Sequence, residues 1–302
     1  MTSRVLLTGA RGYAGGAVAA RLRAHGVDVV TAGRAPSDDI RLDLSDPDAV
    51  AGLALPDGLD ACIHAAAMHE VACRANPSLA YVVNVAGTRA LLEACARAGI
   101  ERHAYVSTFH VFGRPAALLD ELAPAVPAND YGLTHRQAEE LYALAAREQG
   151  MSVDILRPAN LFGVPARWTG FDRWTLAPFD FCRQAVANGR IVLHGQGEAR
   201  RNYLSVEHFA QVLARRLPGA GSGVLHVAGA DWLIRDLAGL AASRATRLLG
   251  RNIPVQFGSA EELPAPDYQF MSRHEAAEGG DANDAMAMFF DKTLAHLMEE
   301  KR

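Results

Sequence analysis

The chain has 302 residues, a formal net charge of −4 at pH 7 and a sequence pI near 6.3. Half of its residues are hydrophobic and 21% are charged, which is ordinary for a globular protein with a large core and two unequal lobes. This balance lacks the basic surface that attracts nucleic acids or anionic membranes, so neither is expected as a partner.

The four cysteines, Cys62, Cys73, Cys95 and Cys182, indicate reduced thiols rather than a disulfide framework. They are scattered and form no CxxC pair, which is typical of buried thiols in a reducing compartment. The RVLLTGA run at the N-terminus lacks the charged, cleavable pattern of a secretory leader. No apolar run approaches the ~18 residues of a membrane span. We therefore expect a cytoplasmic protein.

Short apolar runs alternate with amphipathic stretches through the first half of the chain. Strands are predicted at RVLLTG, VDVVTAG, ACIHAAA, RHAYVST and SVDILRP. Helices are predicted between them at GGAVAARLRAHG, NVAGTRALLEACARAG and THRQAEELYALAAREQG. This alternation predicts an α/β fold, with a parallel sheet covered by helices on both faces.

After Arg157 the pattern becomes less regular. GVPARWTGFDRWTLAPFDF is rich in Gly, Pro and aromatic residues and predicts a loop-rich wall. The elements predicted next are FCRQAVANGR, IVLHG, RNYLSV, EHFAQVLARRL and GVLHVAG. Residues 258–284 are acidic and weakly patterned, which indicates a surface loop or a mobile flap. The helix AMAMFFDKTLAHLMEEKR follows.

The segment TGARGYAGG carries Gly9, Gly12 and Gly15 directly after a strand and at the start of a helix. Glycines let a backbone approach a pyrophosphate, whose charge a helix N-terminus favours. The spacing is GxxGxxG rather than GxGxxG, so taken alone the segment is also compatible with a merely flexible loop. Its position at a strand–helix junction favours a dinucleotide site.

In order, the chain contains TGARGYAG, LDLSD, IHAAA, NVAGTRALLEACARAG, VSTFHVFG, YGLTH, RPANLFG and RNYLSVEH. With these eight motifs, spread over residues 5 to about 229, it resembles the extended short-chain dehydrogenase/reductases, a family of nucleotide-sugar epimerases, dehydratases and ketoreductases. The resemblance implies a Rossmann-type, doubly wound sheet in an NAD(P)-binding domain at 1–158. It also implies a smaller, mainly substrate-binding lobe at 159–302, from which about 202–229 returns to the first domain.

The resemblance implies a cofactor role for several residues. Asp43 and Leu44 would meet the adenine edge, Ala65 and Ala66 would line the cofactor, and Asn84 would support them. The predicted phosphate loop comprises Gly9, Arg11, Gly12, Tyr13, Ala14 and Gly15. Without the family motif, Asp43 is equally well interpreted as a helix cap or turn residue.

The end of the second predicted strand bears on the choice between NAD and NADP. An acidic residue there would hold the ribose 2′-hydroxyl of NAD, whereas this chain has Gly33 and Arg34. Arg11 and Arg34 together favour NADP, because two guanidiniums can clamp a 2′-phosphate. The alternative is that both are solvated surface arginines.

The resemblance implies that Thr108 and Tyr131 are catalytic, with Tyr131 exchanging a proton with the substrate oxygen and Thr108 hydrogen-bonding it. The motif lysine, which would lower the pKa of the tyrosine and hold the nicotinamide ribose, is replaced by His135. The only lysines are Lys292 and Lys301.

A histidine at this position has predictable consequences. Its reference pKa is about 6.5, so the ring is mostly uncharged near neutrality and lowers the pKa of Tyr131 less than a lysine would. We therefore expect His135 to favour ketone reduction, in which a neutral Tyr131 donates a proton and the imidazole relays a replacement. The alternative is that His135 is inert and redox chemistry has been lost.

On the substrate side, the resemblance implies that Asn160 and Arg201 contact the phosphates of a nucleotide-sugar. Family dehydratases place Asp-Glu after the threonine, whereas this chain has Phe109 and His110, so dehydration by the usual route is not expected. His110 is predicted to be a substrate-site residue. HEVAC and HEAAE lack the second histidine of a zinc helix, so no metal is expected.

Together these features predict an NADP- or NAD-dependent oxidoreductase that reduces a keto group of a nucleotide-activated sugar or similar small molecule. One alternative is an epimerase that oxidises and re-reduces one carbon. Another is a non-catalytic dinucleotide-binding sensor or scaffold. The resemblance also implies a homodimer through helices near 88–98 and 134–148.

Overall fold

The computed structural model describes residues 3–114, 117–221, 223–259 and 268–301. Its strands are β1 Arg4–Thr8, β2 Asp28–Gly33, β3 Ile40–Arg41, β4 Ala61–His64, β5 Arg102–Val106, β6 Ala117–Leu119, β7 Ser152–Pro158, β8 Asn160–Phe162, β9 Ile191–Val192, β10 Arg200–Ser205, β11 Gly223–Val227, β12 Ala230–Leu233, β13 Val255–Gln256 and β14 Tyr268–Phe270. Its helices are α1 Tyr13–Ala24, α2 Pro47–Ala51, α3 Glu70–Ala75, α4 Pro77–Tyr81, α5 Gly87–Arg97, α6 Asp130–Gln149, α7 Ala177–Asn188, α8 Val206–Arg216, α9 Ile234–Leu249 and α10 Ala282–Glu300.

Within the described residues, the largest sheet has seven strands in the order β11-β7-β5-β4-β1-β2-β3. Every pairing in it is parallel. The chain order reverses between β1 and β4, and ligands of such sheets bind at the carboxyl ends of the strands at this point. The predicted α/β fold with a Rossmann-type parallel sheet is confirmed.

The main hydrophobic core packs against the large sheet, and a second hydrophobic cluster forms the core of the smaller lobe. It lies among α7, α9 and α10 and contains the fully buried Phe179 and Phe290. The sheets β12-β10-β8 and β13-β9 border it. β11, late in the chain, pairs with β7 in the large sheet, and α8 packs on α1. The predicted boundary near residue 158 stays a prediction. No element was predicted for the stretch that forms α9.

The helix that carries the YGLTH motif begins earlier than predicted. The Asn129 side chain caps α6 by accepting a hydrogen bond of 2.8 Å from the Gly132 N–H. Tyr131 therefore lies in the first turn, and His135 follows one turn later on the same face. A Cβ atom on Gly132 would come within 3.0 Å of the His110 carbonyl carbon. Glycine at this position thus lets α6 lie close to the chain that follows β5.

Part of the segment 258–284, expected to be a surface loop or a mobile flap, is held in place by a strand pairing and by hydrogen bonds. Its residues 260–267 lie outside the described residues. β14 pairs with β6, and Tyr268 and Phe270 are buried in the main core. Glu121 accepts from the Arg273 N–H at 2.8 Å, and Glu278 accepts from the Ser205 N–H at 2.8 Å. Residues 268–270 form a strand that was not predicted, and residues 271–280 form a surface loop, one of the two predicted alternatives, held by contacts to residues far away in sequence.

One continuous helical stretch, Pro77–Arg97, is long and apolar enough to cross a membrane by length and composition, and half of it is buried inside the protein. The expectation that no apolar run approaches this length was therefore too strict. Burial against the sheet accounts for part of its apolar character.

Candidate functional site

The glycine loop joins the end of β1 to α1. Gly9 has a φ of +71°, and a Cβ atom there would lie 2.6 Å from the Ala66 N atom. A Cβ on Gly15 would overlap the Gly9 carbonyl, so both positions require glycine. α1 begins after the exposed Gly12, without a side-chain cap and without an acidic residue in its first turn. Its first N–H groups and helix dipole therefore fit an anion such as a pyrophosphate.

Two neighbours of these glycines are held by packing. The Tyr13 hydroxyl donates a 2.8 Å hydrogen bond to the Gly163 carbonyl, and its ring meets Phe171 and Phe179 edge-on at 5.7 and 5.6 Å between centroids. The Tyr13 side chain thus connects the loop to the smaller lobe's core. Ala14 packs against the main core.

The two arginines predicted to clamp a 2′-phosphate are in different situations. The Nε atom of Arg11 lies 2.8 Å from an oxygen of Asp38, and Arg11 also bonds to the Ser37 hydroxyl. Arg34 is exposed and makes no hydrogen bond or ion pair within the described residues, although its charge lies near Asp43. Arg34 is therefore the guanidinium left to meet a phosphate, because Asp38 already neutralises Arg11.

The residues predicted at the adenine edge lie in a turn after β3. Asp43 accepts hydrogen bonds from the Ser45 N–H and hydroxyl at 3.1 and 2.7 Å. These bonds, with the charges of Arg34 and Arg41, hold the pKa of Asp43 below its usual value. Leu44 is buried. Asp43 thus acts as a turn residue in this structure, and its carboxylate remains partly exposed.

Asn84 holds two segments of the site together. Its side-chain oxygen accepts from the Met68 N–H at 2.7 Å, and its amide donates to the Thr134 hydroxyl at 3.0 Å. Asn84 lies in a π-helical turn, Val82–Ala86, of the kind often found at functional sites. The chain after β4, which carries Ala65 and Ala66, is thereby joined to α6. The role of Asn84 in supporting the cofactor stays a prediction.

The structure brings Thr108, Tyr131 and His135 together. Thr108 follows β5 and is buried, while Tyr131 is partly buried. The Tyr131 and His135 rings meet edge-on with centroids 4.7 Å apart. Burial raises the pKa of Tyr131 above 10, although the charge of Arg173 and a hydrogen bond with Thr108 oppose this effect. Tyr131 is therefore protonated at neutral pH and is ready to donate.

His135 is only 2% exposed. Its Nδ1 atom lies 2.7 Å from the Tyr105 hydroxyl, and its Nε2 atom has no partner in the part of the chain that the structure describes. Burial lowers the pKa of His135 to about 3, and His64 and His110 add to this. The ring is therefore neutral across the physiological range. No hydrogen bond joins it to the Tyr131 hydroxyl in the described residues, so the proposed relay has no direct link here.

Two residues of the site were missed from the sequence. Tyr105 holds the His135 ring, and no motif marks it apart from its place in a predicted strand. Arg173 lies in the stretch predicted to be a loop-rich wall, and its charge acts on Tyr131, His110, His69 and Tyr13. Its guanidinium makes no hydrogen bond or ion pair within the described ranges. Arg173 is therefore a cation near enough to lower the pKa of Tyr131, which lacks its motif lysine.

The predicted substrate residues border this group. The His110 ring lies edge-on to Tyr131 at 5.4 Å, and the charge of Arg201 reaches His110. Burial lowers the pKa of His110, and the charges of Arg173 and Arg201 act in the same direction. The Asn160 amide donates to the Asn202 carbonyl at 2.9 Å, next to Arg201 in the chain. His110 thus lies against Tyr131, and the charge of Arg201 acts on His110.

Comparisons with known proteins agree with this arrangement. The model of the NAD dependent epimerase/dehydratase family matches residues 5–223. The chain belongs to this family. The family predicted from the eight motifs is thereby confirmed.

Two curated members illustrate the extent of similarity. The chain is 34% identical to a UDP-glucose 4-epimerase of Azospirillum brasilense over 181 residues, which is 55% of this chain and 52% of that one. It is 33% identical to a dTDP-D-glucose 4,6-dehydratase of Mus musculus over 142 residues, 45% of this chain and 38% of that one. The chain spans about half the length of the curated relatives it matches.

The fold of the epimerase/dehydratase family extends over the whole chain. The solved structure of MoeE5 in complex with UDP-glucose and NAD superposes with a TM-score of 0.78 at 24% identity, covering 98% of this chain and 100% of that one. At this level of identity the match shows a common fold, including the smaller lobe.

Proposed function

We propose that the protein is an NAD(P)-dependent oxidoreductase that reduces a keto group on a nucleotide-activated sugar. The observation that carries the proposal is the state of Tyr131. It is a protonated phenol between Thr108 and an uncharged His135, at the edge of the sheet where the glycine loop also lies. The glycine cradle at Gly9, Gly12 and Gly15 fits a dinucleotide, and the family relatives named above act on nucleotide-sugars.

Each residue has a defined part in this proposal. When bound, the nicotinamide supplies or accepts hydride. Tyr131 donates the proton from its hydroxyl to the substrate oxygen, and Thr108 orients that oxygen with its own hydroxyl. His135, fixed by Tyr105, keeps an uncharged ring beside that of Tyr131. Arg173 and Arg201 provide positive charge for the substrate phosphates.

The experiment is a stoichiometry measurement. Purified protein is incubated with NADPH or NADH and UDP- or dTDP-linked 4-keto sugars, and the oxidised cofactor and reduced sugar are counted. A reductase consumes one cofactor for each sugar reduced. If no keto sugar is reduced under any of these conditions, the reductase proposal fails.

The second candidate is a sugar epimerase, which similarity to the Azospirillum brasilense protein favours. An epimerase would interconvert two nucleotide-sugars with no net cofactor consumption, because the hydride that it removes is returned. This requires Tyr131 to act first as a base, which its raised pKa hinders. Cofactor binding without turnover in either assay would favour the third reading, a sensor or scaffold.

We propose that NADP is preferred, and the support is Arg34. Arg34→Ala is expected to weaken NADPH binding about 10- to 100-fold, the value of a charge-assisted hydrogen bond, and to leave NADH binding unchanged. Fluorescence titration of both cofactors measures this. Arg147→Ala, in the exposed last turn of α6, is the control. An equal loss of NADH and NADPH affinity in Arg34→Ala would contradict the preference.

A prediction about pH follows from the raised pKa of Tyr131. Alcohol oxidation needs the phenolate, so its rate should rise about tenfold per pH unit up to pH 10. His135→Lys places an ammonium near the phenol and should lower the pKa of Tyr131 by about 1–3 units, raising oxidation at pH 8 about tenfold or more. Ketone reduction should change little. His135→Gln, which adds no charge, is the control.

The quantity compared between the variants is the pH range over which the rate of alcohol oxidation rises, that is, the alkaline limb of the pH profile. A limb that lies at the same pH in His135→Lys and His135→Gln would contradict the proposed electrostatic role of position 135. Circular dichroism on the lysine variant checks that the buried substitution still folds, because a buried ammonium is itself costly.

We also propose a homodimer through α5 and α6 and a cytoplasmic location. Leu133 on α6 is 38% exposed, which supports an apolar contact on this helix. The four cysteines are free and buried, which is compatible with a reducing compartment. Sedimentation equilibrium would measure the mass in solution.

A further inference from the structure

Three side chains from three different elements meet in the core of the large sheet. Cys62 lies on β4, Cys95 on α5 and His103 on β5. Cys62 and His103 are direct partners in the register of the two strands. One ligand atom from each of the three residues lies within 4.8 Å of the other two. All three residues are fully buried, and none belongs to the site around Tyr131.

The orientation of the His103 ring is fixed by the backbone. Its Nε2 atom lies 2.9 Å from the Ile100 carbonyl oxygen, and because a carbonyl only accepts, Nε2 carries the hydrogen. The neutral ring therefore presents a lone pair at Nδ1. That atom is buried and has no hydrogen-bond partner in the described part of the chain. A histidine that binds metal through one nitrogen characteristically donates the other N–H to such a carbonyl.

The two cysteines complete a soft set of donors. Their sulfur atoms lie within 4.8 Å of each other. Thiolate and imidazole together favour Zn²⁺ among the common divalent ions. Two thiolates carry two negative charges and so neutralise Zn²⁺. This matters because an unbalanced charge is costly in a dry interior.

We propose that Cys62, Cys95 and the Nδ1 atom of His103 form a structural zinc site that joins β4, β5 and α5. On binding, each thiol loses its proton to solvent, two Zn–S bonds and one Zn–N bond form, and the water ligands of the hydrated ion are released. Bond lengths of about 2.3 Å to sulfur and 2.0 Å to nitrogen place tetrahedral ligand atoms about 3.5–3.8 Å apart. The cluster therefore needs to contract by up to about 1.3 Å, within reach of small side-chain rotations.

One further polar atom borders the cluster. The Tyr142 hydroxyl is buried without a partner among the described residues, and its ring lies 5.9 Å from that of His103. Burial raises the pKa of Tyr142, and the charges of Cys62 and Cys95 raise it further. In the proposal this hydroxyl is the fourth contact of four-coordinate zinc. The ion would enter during folding, because the folded core is closed to solvent and zinc binding is coupled to folding in such sites.

The test is the metal content of the intact chain. Protein is purified without a metal-affinity tag, and zinc is counted by mass spectrometry of the dissolved sample. About one zinc per chain is expected in the wild type and less than about 0.1 in Cys95→Ala. Cys182→Ala removes an equally buried thiol from the smaller lobe and should keep its zinc.

Cobalt provides a measurement on the wild type that does not depend on any variant folding. Chain refolded with Co²⁺ should show thiolate-to-cobalt charge-transfer absorption. The proposal is overturned if folded wild type holds less than about 0.1 zinc, takes up none on refolding with Zn²⁺ and shows no such absorption. It is equally overturned if Cys95→Ala keeps as much zinc as Cys182→Ala.

Discussion

Tyr131→Phe is expected to lower kcat for ketone reduction by about 10²- to 10⁴-fold, the range that a positioned general acid contributes. The substitution removes the hydroxyl and keeps the ring that meets His110 and His135. Cofactor affinity should therefore change little. Steady-state kinetics with a saturating keto sugar, together with a separate cofactor titration, measure the two effects independently.

Tyr81→Phe is the matched control. Its hydroxyl donates to Asp130 at 3.0 Å, one residue before Tyr131, but it has no part in the proposed proton transfer. Its kcat should stay within about threefold of the wild type. If Tyr131→Phe retained full turnover, the phenol would not be the proton donor, and a sensor or scaffold role would become the better proposal.

Glu139→Leu is expected to lower the free energy of unfolding by about 3–5 kcal/mol, the cost of leaving a buried charge without its partner. Glu139 on α6 is fully buried and accepts from Arg157 at 2.8 and 2.6 Å and from the Ser107 hydroxyl at 2.6 Å. Arg157, at the end of β7, is itself buried. Urea unfolding followed by circular dichroism measures the loss.

A double variant separates the ion pair from simple packing. Glu139→Leu with Arg157→Met removes both charges, so most of the lost stability should return, since apolar replacements of buried pairs are often neutral. Glu93→Ala breaks the exposed pair with Arg89 and should cost less than about 1 kcal/mol. A double variant no more stable than Glu139→Leu would show that the charges are not the cause.

This ion pair also bears on the site. Glu139 lies one turn after His135 on α6, and Ser107 immediately precedes Thr108. The pair therefore fixes the helix that carries Tyr131 against the strand end that carries Thr108. A partial loss of turnover in Glu139→Leu would be a positioning effect, distinct from the loss in Tyr131→Phe, because the phenol is retained.

The local patterns of the sequence were sufficient for the parallel sheet and for much of the site. Apolar runs of strand length between helical repeats predicted the strands of the large sheet, apart from the two-residue β3. The spacing of Tyr131 and His135 placed them on one helix face, since residues four apart are neighbours there. The expected low charge of His135 also agrees with its pKa of about 3.

Other features depend on contacts between distant parts of the chain. Arg173 was missed because its loop has no periodicity, and it reaches Tyr131 only across the two lobes. Residues 268–280 resembled a flap because the acids that hold them in place, Glu121 and Glu278, have partners far away in sequence. The cluster of Cys62, Cys95 and His103 has no motif spacing, because a strand pairing and a helix packing bring its members together.

The sequence by itself therefore determined the family, the sheet and the identity of the groups at the proposed proton-transfer position, because each depends on residues close together in the chain. Only the tertiary structure decided the environment of those groups. It placed His135 in a dry core against Tyr105, raised the pKa of Tyr131 by burial and set Arg173 beside it. Burial and charge proximity are properties of the packed chain, and they set the acidity on which the proposed chemistry depends.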